Sequence, residues 1–367
     1  MTAIKNGKPR REFCKNVLAL SALLPAGSLI SGCLIQSNRV FASAFTLSSG
    51  EHFVGWFDNN GVLRGKVALP QRAHDLHFFP DKQVLLAFSR RPGRYFHIIK
   101  LHEQRVVRSI EASKAHHFYG HGILSKDGNW LFTTENKFDD AQNPNEGVIA
   151  VRNTANWKVE TFLPSGGVGP HQLQSLSDPN ILVIANGGIH THPSSPRTKL
   201  NLNDMKPNLS YLDLKKGHII DSVAPPHHQL STRHLCVDQQ DNIYVGCQFQ
   251  GPDYIIKPLI YKHKMNSKLE PLKAPQATWL SFKQYTASLA VDEKRKTLGV
   301  TSPKGNITSF WDLETLSLKK VVSVRDCAGI CASESGFMIS TGRGEIVQGS
   351  NVLNSNSGLR WDNHMVG

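Results

Sequence analysis

The sequence predicts an all-β fold, a β-propeller with seven blades. Short runs of β-branched and aromatic residues alternate with glycine, asparagine, aspartate and proline, and no long stretch has the 3.6-residue period of a helix. Hairpins of one form, with an apolar run, an Asp or Asn turn and a second run that mixes charged and apolar residues, recur seven times. They lie at residues 53–69, 96–110, 148–163, 210–223, 259–272, 307–322 and about 345–355. Each is expected to form the outer two strands of one blade.

A second class of hairpin lies between the first ones and is expected to form the inner two strands of the blades. Six of these hairpins begin near His74, His121, His171, His234, Ala287 and Cys327. The seventh is predicted to be split, because residues 361–366 form an apolar strand start with no partner nearby in sequence. We expect this strand to be the innermost one of a blade that residues 45–69 complete. Both chain ends then share one blade and close the ring, which hides its edges.

The first 44 residues have the composition of an export signal. Positive charges, among them the paired Arg10 and Arg11, precede an apolar stretch at residues 17–30 that is short for a membrane span. Residues 10–15, Arg-Arg-Glu-Phe-Cys-Lys, resemble the twin-arginine export motif. We therefore predict a twin-arginine signal peptide at residues 1–44, a propeller domain at residues 45–367 and a periplasmic location.

Two cleavage patterns compete in this signal. Residues 42–44, Ala-Ser-Ala, fit the small-residue rule of ordinary signal peptidase, and residues 30–33, Ile-Ser-Gly-Cys, resemble a lipoprotein box. We favour the first pattern. If Cys33 is lipidated instead, the protein is a lipoprotein, and contact with the membrane is expected only in that case.

The composition excludes some classes of protein. Hydrophobic residues make up 40% of the chain and charged residues 19%, which is typical of a chain with a large core and unlike a disordered one. The formal net charge is +13, but the basic residues are scattered, so we predict no nucleic-acid partner; an anionic partner is compatible with the charge. Four cysteines follow the predicted signal, and we expect most of them to be buried thiols rather than disulfides.

The order of strands in a blade predicts where a functional site lies. When the strands run outward from the axis, the loop before the first strand and the loop between the second and third lie on one face. Five histidines near the first position are the predicted metal ligands: His74, His121, His171, His234 and His364. Neutral imidazoles around one axis can ligate iron or copper, or contact the edge of a haem. The alternative is that each imidazole hydrogen-bonds backbone across the channel.

The same two classes of loop carry the predicted ligand-binding residues: Arg94, Glu135, Asn186, His190, His192, Arg233, Gln248 and Asn363. Glu135 and His171 are a candidate acid/base pair if they meet. The alternative for Glu135 is an ion pair with Arg94 or Arg233. The sequence has no HExxH motif and no Ser-His-Asp pattern with a nucleophile elbow, so no catalytic residue is predicted.

Dispersed motifs along the chain resemble those of one known family. They include His121-Gly122, Thr134-Glu135-Asn136, Gly169-Pro170-His171, Asn186-Gly187-Gly188-Ile189, Arg233-His234-Leu235, Gly246-Cys247-Gln248 and Trp361-Asp362-Asn363-His364. On these residues the chain resembles the domain of unknown function 1513 family, secreted propeller proteins that often carry a twin-arginine leader. The resemblance implies a role in iron uptake, with imelysin-like and dihaem peroxidase-like periplasmic partners. Ala287 and Cys327 stand where other blades have histidine, so the predicted ring is incomplete.

Three functions are compatible with these patterns. The favoured one is a periplasmic protein that binds a metal ion, a haem or a metal-carrying partner at a histidine-rich funnel, in iron acquisition. One alternative is a lactonase-like hydrolase, because propellers of that type also place histidine and arginine at the mouth. The other is a scaffold that docks a second periplasmic protein without chemistry. A binding role is favoured over an enzymatic one.

Overall fold

The computed structural model describes residues 39–79, 81, 83–138, 146–195 and 198–367. The twin-arginine motif and Cys33 lie outside the described residues. The regular structure of the described part is almost entirely β, with one short helix, α1 (Gln276–Ser281). No helix in these ranges is long and apolar enough to cross a membrane.

The strands follow one another along the chain with short connections. In order they are β1 (Phe41–Leu47), β2 (His52–Phe57), β3 (Leu63–Leu69), β4 (Ala73–Phe78), β5 (Val84–Ser89), β6 (Tyr95–Lys100), β7 (Arg105–Glu111), β8 (His116–Leu124), β9 (Trp130–Lys137), β10 (Glu146–Asn153), β11 (Val159–Pro164), β12 (Pro170–Ser175), β13 (Ile181–Asn186), β14 (Asn208–Asp213), β15 (His218–Val223), β16 (Leu230–Val237), β17 (Ile243–Phe249), β18 (Ile260–His263), β19 (Glu270–Pro271), β20 (Leu289–Asp292), β21 (Thr297–Ser302), β22 (Ile307–Asp312), β23 (Leu318–Ser323), β24 (Cys327–Ser333), β25 (Gly336–Thr341), β26 (Glu345–Gln348), β27 (Asn351–Ser355) and β28 (Leu359–Val366).

These strands form seven antiparallel sheets of four strands each, which confirms the predicted seven-bladed β-propeller. Six sheets take four consecutive strands: blade 1 is β4–β7, blade 2 is β8–β11, blade 3 is β12–β15, blade 4 is β16–β19, blade 5 is β20–β23 and blade 6 is β24–β27. Blade 7 has the order β28-β1-β2-β3 and so combines the last strand with the first three.

Blade 7 is held together by main-chain pairing and by aromatic packing. Strand β1 pairs with β28 from Ala42 opposite Val366 to Leu47 opposite Leu359. The Phe45 ring meets the edge of the Trp361 ring with centroids 5.2 Å apart. Strand β1 begins at Phe41 and its first residues are fully buried, so the domain boundary predicted between residues 44 and 45 falls inside this strand.

The innermost strand of each blade contacts the innermost strands of both neighbouring blades, and together they surround a central shaft. The apolar core lies between adjacent sheets. Trp279 of α1, for example, stacks on Trp311 of blade 5 with ring centroids 5.2 Å apart. The outermost strands have exposed polar positions, as in β7, where Arg105, Arg108, Ser109 and Glu111 are exposed. Polar edges of this kind oppose pairing with another chain.

All four cysteines of the propeller are free thiols, as the sequence predicted for most of them. Cys247 and Cys327 are buried, and Cys236 and Cys331 are half-buried. Burial raises the pKa of the Cys327 thiol to about 11, so it is neutral at pH 7. We infer that these residues pack as small apolar side chains.

Candidate metal centre

The five predicted metal-ligand histidines lie at irregularities in the innermost strands. The pairing register shifts at His74 in β4, at residues 119–121 in β8, at His171 in β12, at Arg233 in β16 and at residues 362–364 in β28. A bulge changes the direction in which a side chain leaves its strand. Because the bulges lie at a common level of the ring, histidines from five blades meet in the shaft. His121, His234 and His364 lie inside their strands, whereas the sequence placed them at strand starts.

Hydroxyl groups compensate the backbone carbonyls at these bulges. Ser43 Oγ donates to His364 O at 2.6 Å. Thr134 Oγ1 donates to His121 O at 3.2 Å and to His171 O at 3.4 Å. A buried carbonyl that leaves the regular ladder needs such a partner. The second strand of the blade therefore stabilises the bulge that positions the imidazole.

The five imidazoles form one compact cluster, which we call the histidine cluster: His74, His121, His171, His234 and His364. The ring centroids of nine of its pairs lie between 4.5 and 6.2 Å apart. Two groups of three share His121, namely His74 with His121 and His171, and His121 with His234 and His364. Within each group, one nitrogen from each residue lies within 4.8 Å of the others.

Two buried carboxylates orient two of these imidazoles. His121 Nδ1 donates to Asp75 Oδ2 at 2.8 Å, and His74 Nδ1 lies 3.3 Å from Asp362 Oδ1. In each case the aspartate belongs to the blade before that of the histidine. A carboxylate on Nδ1 fixes the tautomer that leaves Nε2 free, which is the usual arrangement behind a metal-bound histidine. Arg72 also contacts Asp362 and offsets its charge.

Burial keeps four imidazoles of the cluster, those of His74, His171, His234 and His364, in the neutral form that binds metal. It lowers the pKa of His74 to about 4, although Asp362 acts in the opposite direction. The pKa values of His171, His234 and His364 are also well below the ordinary value, first because of burial and then because of their histidine neighbours. Burial raises the pKa of Asp75, but its contact with His121 outweighs this and lowers it to about 2. At pH 7 the imidazoles of His74, His171, His234 and His364 are thus uncharged, and the Asp75 carboxylate is ionised.

Four nitrogens of the histidine cluster have no hydrogen-bond partner within the described ranges. They are His121 Nε2, His171 Nδ1, His234 Nδ1 and His364 Nε2, and each is buried. Buried polar atoms without a partner are rare and destabilising, so four of them in one cluster require an explanation. The alternative from the sequence, in which each imidazole hydrogen-bonds backbone across the channel, does not account for these four atoms.

A cavity of about 440 Å³ opens above the histidine cluster, and we call it the mouth cavity. Its base includes His74, His171 and His234. Three predicted ligand-binding residues line it as well: Arg233, Gln248 and Asn363. A second cavity, of about 380 Å³, is lined by residues later in the innermost strands and reaches Asp75 and His364. The histidine cluster thus lies between two openings of the shaft.

Arg94, Asn186 and Glu135, three of the predicted ligand-binding residues, are held within the blades and do not line the mouth cavity. Arg94 donates to His116 O at 2.7 Å and pairs with Glu111. Asn186 Nδ2 donates to Ser165 O, Asn208 Oδ1 and Ser210 Oγ, which joins three segments of blades 2 and 3.

Glu135 is fully buried and pairs with Arg152, with Nη2 and Oε1 2.6 Å apart. Strand alternation explains this position, because Thr134 of β9 contacts the main chain of His171 in blade 3 and the next residue faces the opposite side of the sheet. The candidate pair with His171 therefore does not form. The predicted alternatives, Arg94 and Arg233, are not its partners either.

His190 and His192 lie in the long loop of blade 3, outside the mouth cavity. The backbone N–H of His190 donates to Asn201 Oδ1 at 2.7 Å. His192 Nδ1 lies 2.5 Å from Ser194 Oγ, and its ring meets the edge of the Phe138 ring. These contacts order the loop and do not bring either ring to the histidine cluster.

Sequence reasoning missed several residues of the site. Asp75 and Asp362 lie close in sequence to the predicted ligands His74 and His364. Only the structure shows that each aspartate contacts a histidine of the next blade. Arg91 lines the mouth cavity in place of Arg94 from the same loop. Lys304 also lines it, from the corresponding loop of blade 5, one of the two blades whose innermost strand has no histidine. Arg91 and Lys304 could have been found from the sequence because both lie in loops between the second and third strands of a blade.

The fold and the cluster together define a class of protein, a seven-bladed propeller with an axial group of buried histidines. The chain belongs to the DUF1513 family of proteins of unknown function, whose family model matches residues 67–367. No curated protein matches the sequence. Among solved structures, the chain is similar to Kuenenia stuttgartiensis hydrazine synthase, with a TM-score of 0.58 and 14% identity over 81% of this chain and 91% of that one. At this identity the likeness supports the propeller fold alone.

Proposed function

We propose that this protein binds a transition-metal ion at the histidine cluster. The observation that carries the proposal is the convergence of buried imidazole nitrogens that have no partner within the described ranges. Imidazole is a good ligand for copper, zinc, iron and nickel. The carboxylates behind His74 and His121 supply the outer hydrogen bonds that such ligands need. Because His121 belongs to both groups of three, we expect one ion per chain.

The geometry favours a metal ion over a haem. The rings of His171 and His234, for example, have centroids 4.5 Å apart. Packing this close leaves no space for a porphyrin plane between the imidazoles. The donor set is also made of nitrogen, which disfavours magnesium and calcium because these ions prefer oxygen ligands.

The biological setting is part of the proposal and rests on the family resemblance. On that basis the protein works in the periplasm in iron acquisition, beside imelysin-like and dihaem peroxidase-like partners. Iron and copper are the first metals to test. The lactonase-like hydrolase and the docking scaffold stay as alternatives, and lactone turnover or a metal-independent partner would favour them.

The test is metal loading followed by elemental analysis. Metal-free protein is exposed separately to Cu(II), Zn(II), Ni(II) and anaerobic Fe(II), desalted and analysed by inductively coupled plasma mass spectrometry. We expect about one ion per chain for at least one metal. His121→Ala should weaken the binding of that metal by more than the roughly 10- to 100-fold that is typical for loss of an outer-shell partner. His364→Gln should have the same effect.

His97→Ala is the matched control. His97 is a buried histidine on β6, and its Nδ1 lies 2.8 Å from Ser109 Oγ, outside the histidine cluster. This variant should bind metal like the unchanged protein. Near-ultraviolet circular dichroism checks that each variant is folded. The proposal fails if the unchanged protein retains no metal, or if folded His121→Ala and His364→Gln retain as much as the control.

A further inference from the structure

The walls of the mouth cavity are strongly cationic. Five lining residues carry a positive charge, Arg90, Arg91, Lys199, Arg233 and Lys304, against one carboxylate, the exposed Asp253. Arg90 lies 3.7 Å from Asp362 and so has a counter-charge. Burial lowers the pKa of Lys199, and the nearby Arg233, Lys304 and Arg91 lower it further. These cations therefore lie close enough together to repel one another.

Arg233 is the unusual member of this group. Its side chain is buried, with only 7% of the residue exposed, and it lines the mouth cavity. Over the ranges that the structure describes, its Nε is buried without a hydrogen-bond partner and the guanidinium has no carboxylate partner. Burial lowers its pKa to about 10, so the group is still charged at pH 7. A buried, unpaired cation is costly unless a ligand pairs with it.

The surroundings of Arg233 favour an oxyanion. Gly187 packs against the guanidinium, and a Cβ at that position would lie only 3.3 Å from Arg233 Cζ. Arg91 Nη1 donates to Thr191 Oγ1 at 3.0 Å, and its guanidinium lies over the Tyr119 ring, so this second arginine is held in place at the wall. Two fixed guanidinium groups are a typical site for carboxylate or phosphate, which arginine binds through paired hydrogen bonds.

We infer that the mouth cavity binds a small molecule with carboxylate or phosphate groups, with Arg233 as its central contact and Arg91 beside it. A volume of about 440 Å³ suits a ligand of this size. Because His74, His171 and His234 form the base, the bound anion lies next to the proposed metal ion. The inference extends the proposed function, but the cationic walls attract an oxyanion whether or not a metal is present.

The test is calorimetric titration of citrate and of inorganic phosphate into metal-free protein at low ionic strength. The protein is stripped with EDTA and then desalted, because EDTA is itself a polycarboxylate. We expect one bound citrate or phosphate per chain, with affinity that falls as NaCl is added. Arg233→Gln should weaken binding about 10- to 100-fold, the cost of losing a charge-assisted hydrogen bond.

Two further measurements separate a ligand-binding arginine from a structural one. Arg233→Gln removes an unpaired buried charge, so its midpoint of thermal unfolding should be equal to or above that of the unchanged protein. A structural arginine gives a lower midpoint and unchanged anion binding, which overturns the inference. Arg108→Gln removes the same charge from an exposed site on β7 and should bind citrate normally.

The anion could be a free oxyanion or part of an anionic metal chelate, and titrations of metal-free and metal-loaded protein distinguish these two sources. If citrate or phosphate binds equally to metal-free protein, loaded protein and His121→Ala, the ligand is a free oxyanion. If the metal-free protein binds the ferric citrate complex more tightly than it binds citrate alone, the ligand is an anionic metal chelate. If anions bind only to loaded protein and Arg233→Gln has no effect, they are ligands of the ion and the cationic walls have no such role. If no anion binds to the metal-free protein, the loaded protein or His121→Ala, the inference is also overturned. Neither of these last two results changes the number of metal ions bound per chain, which is the measurement that tests the proposed function.

Discussion

Replacing Asp75 by asparagine tests whether the carboxylates behind the histidine cluster serve a metal ion. Asp75 Oδ2 accepts the Nδ1–H of His121 at 2.8 Å, and both groups are buried. Asp75→Asn keeps the shape and one hydrogen-bond acceptor but removes the negative charge. A hydrogen bond to a charged group contributes about 1.5–3 kcal/mol, which corresponds to roughly 10- to 100-fold in binding. Loss of an outer-shell partner of a metal-bound histidine has a cost in the same range.

The assay is competition for the metal that binds best, against a chelator of known affinity at pH 7.5. We expect Asp75→Asn to weaken metal binding about 10- to 100-fold, and less than His121→Ala does. Asp292→Asn is the control, because Asp292 is a buried carboxylate in blade 5 that pairs with Arg295 at 2.7 Å. The reasoning is refuted if Asp75→Asn binds the metal as tightly as the Asp292→Asn control.

Three further predictions concern stability. In the metal-free protein, His74 has its ordinary pKa of 6.5 in the unfolded chain and a pKa of about 4 in the folded chain, so between these values only the unfolded chain takes up a proton. The free energy of unfolding should therefore fall from pH 7 to pH 5 by roughly 2 kcal/mol for this group. A free energy of unfolding from urea denaturation that does not change with pH would contradict this. Glu135→Gln leaves Arg152 buried without a charged partner, so the free energy of unfolding should fall by about 3–5 kcal/mol, and a loss under 1 kcal/mol would show that this pair contributes little. A chain that begins at Phe45 lacks the buried Phe41, so its free energy of unfolding should be at least about 3 kcal/mol below that of a chain that begins at Asn38. Equal stability of the two chains would favour cleavage after Ala44.

The blade count and the histidines of the shaft were predictable from the sequence because both depend on repetition. A hairpin pattern that recurs seven times specifies the number of sheets, and topology then assigns His74 and His171 to equivalent positions near the axis. The bulges were not predictable, because a register shift depends on pairing with the second strand and leaves no pattern in the residues themselves. For this reason the pairing of Asp75 with His121 became visible only in the structure.

The loops were predictable by class but not by residue. The arginine-rich loop of blade 1 was expected at the mouth, yet Arg91 lines the cavity and Arg94 turns back to the main chain of His116. A loop of this kind can present any of its neighbouring side chains, and the choice depends on local contacts that a single sequence does not reveal. Glu135 shows the same limit for a strand, where a displacement of one residue changes the face.

The composition of blade 7 has a consequence for when the proposed metal site comes into existence. One of the five histidines of the cluster, His364, lies on β28, which follows the strands of the other six blades in the chain and pairs with β1. During synthesis the other four imidazoles are complete long before this last one emerges. An ion that needs His364 is therefore retained only after β28 has paired with β1, so metal content would report directly on whether blade 7 has assembled correctly.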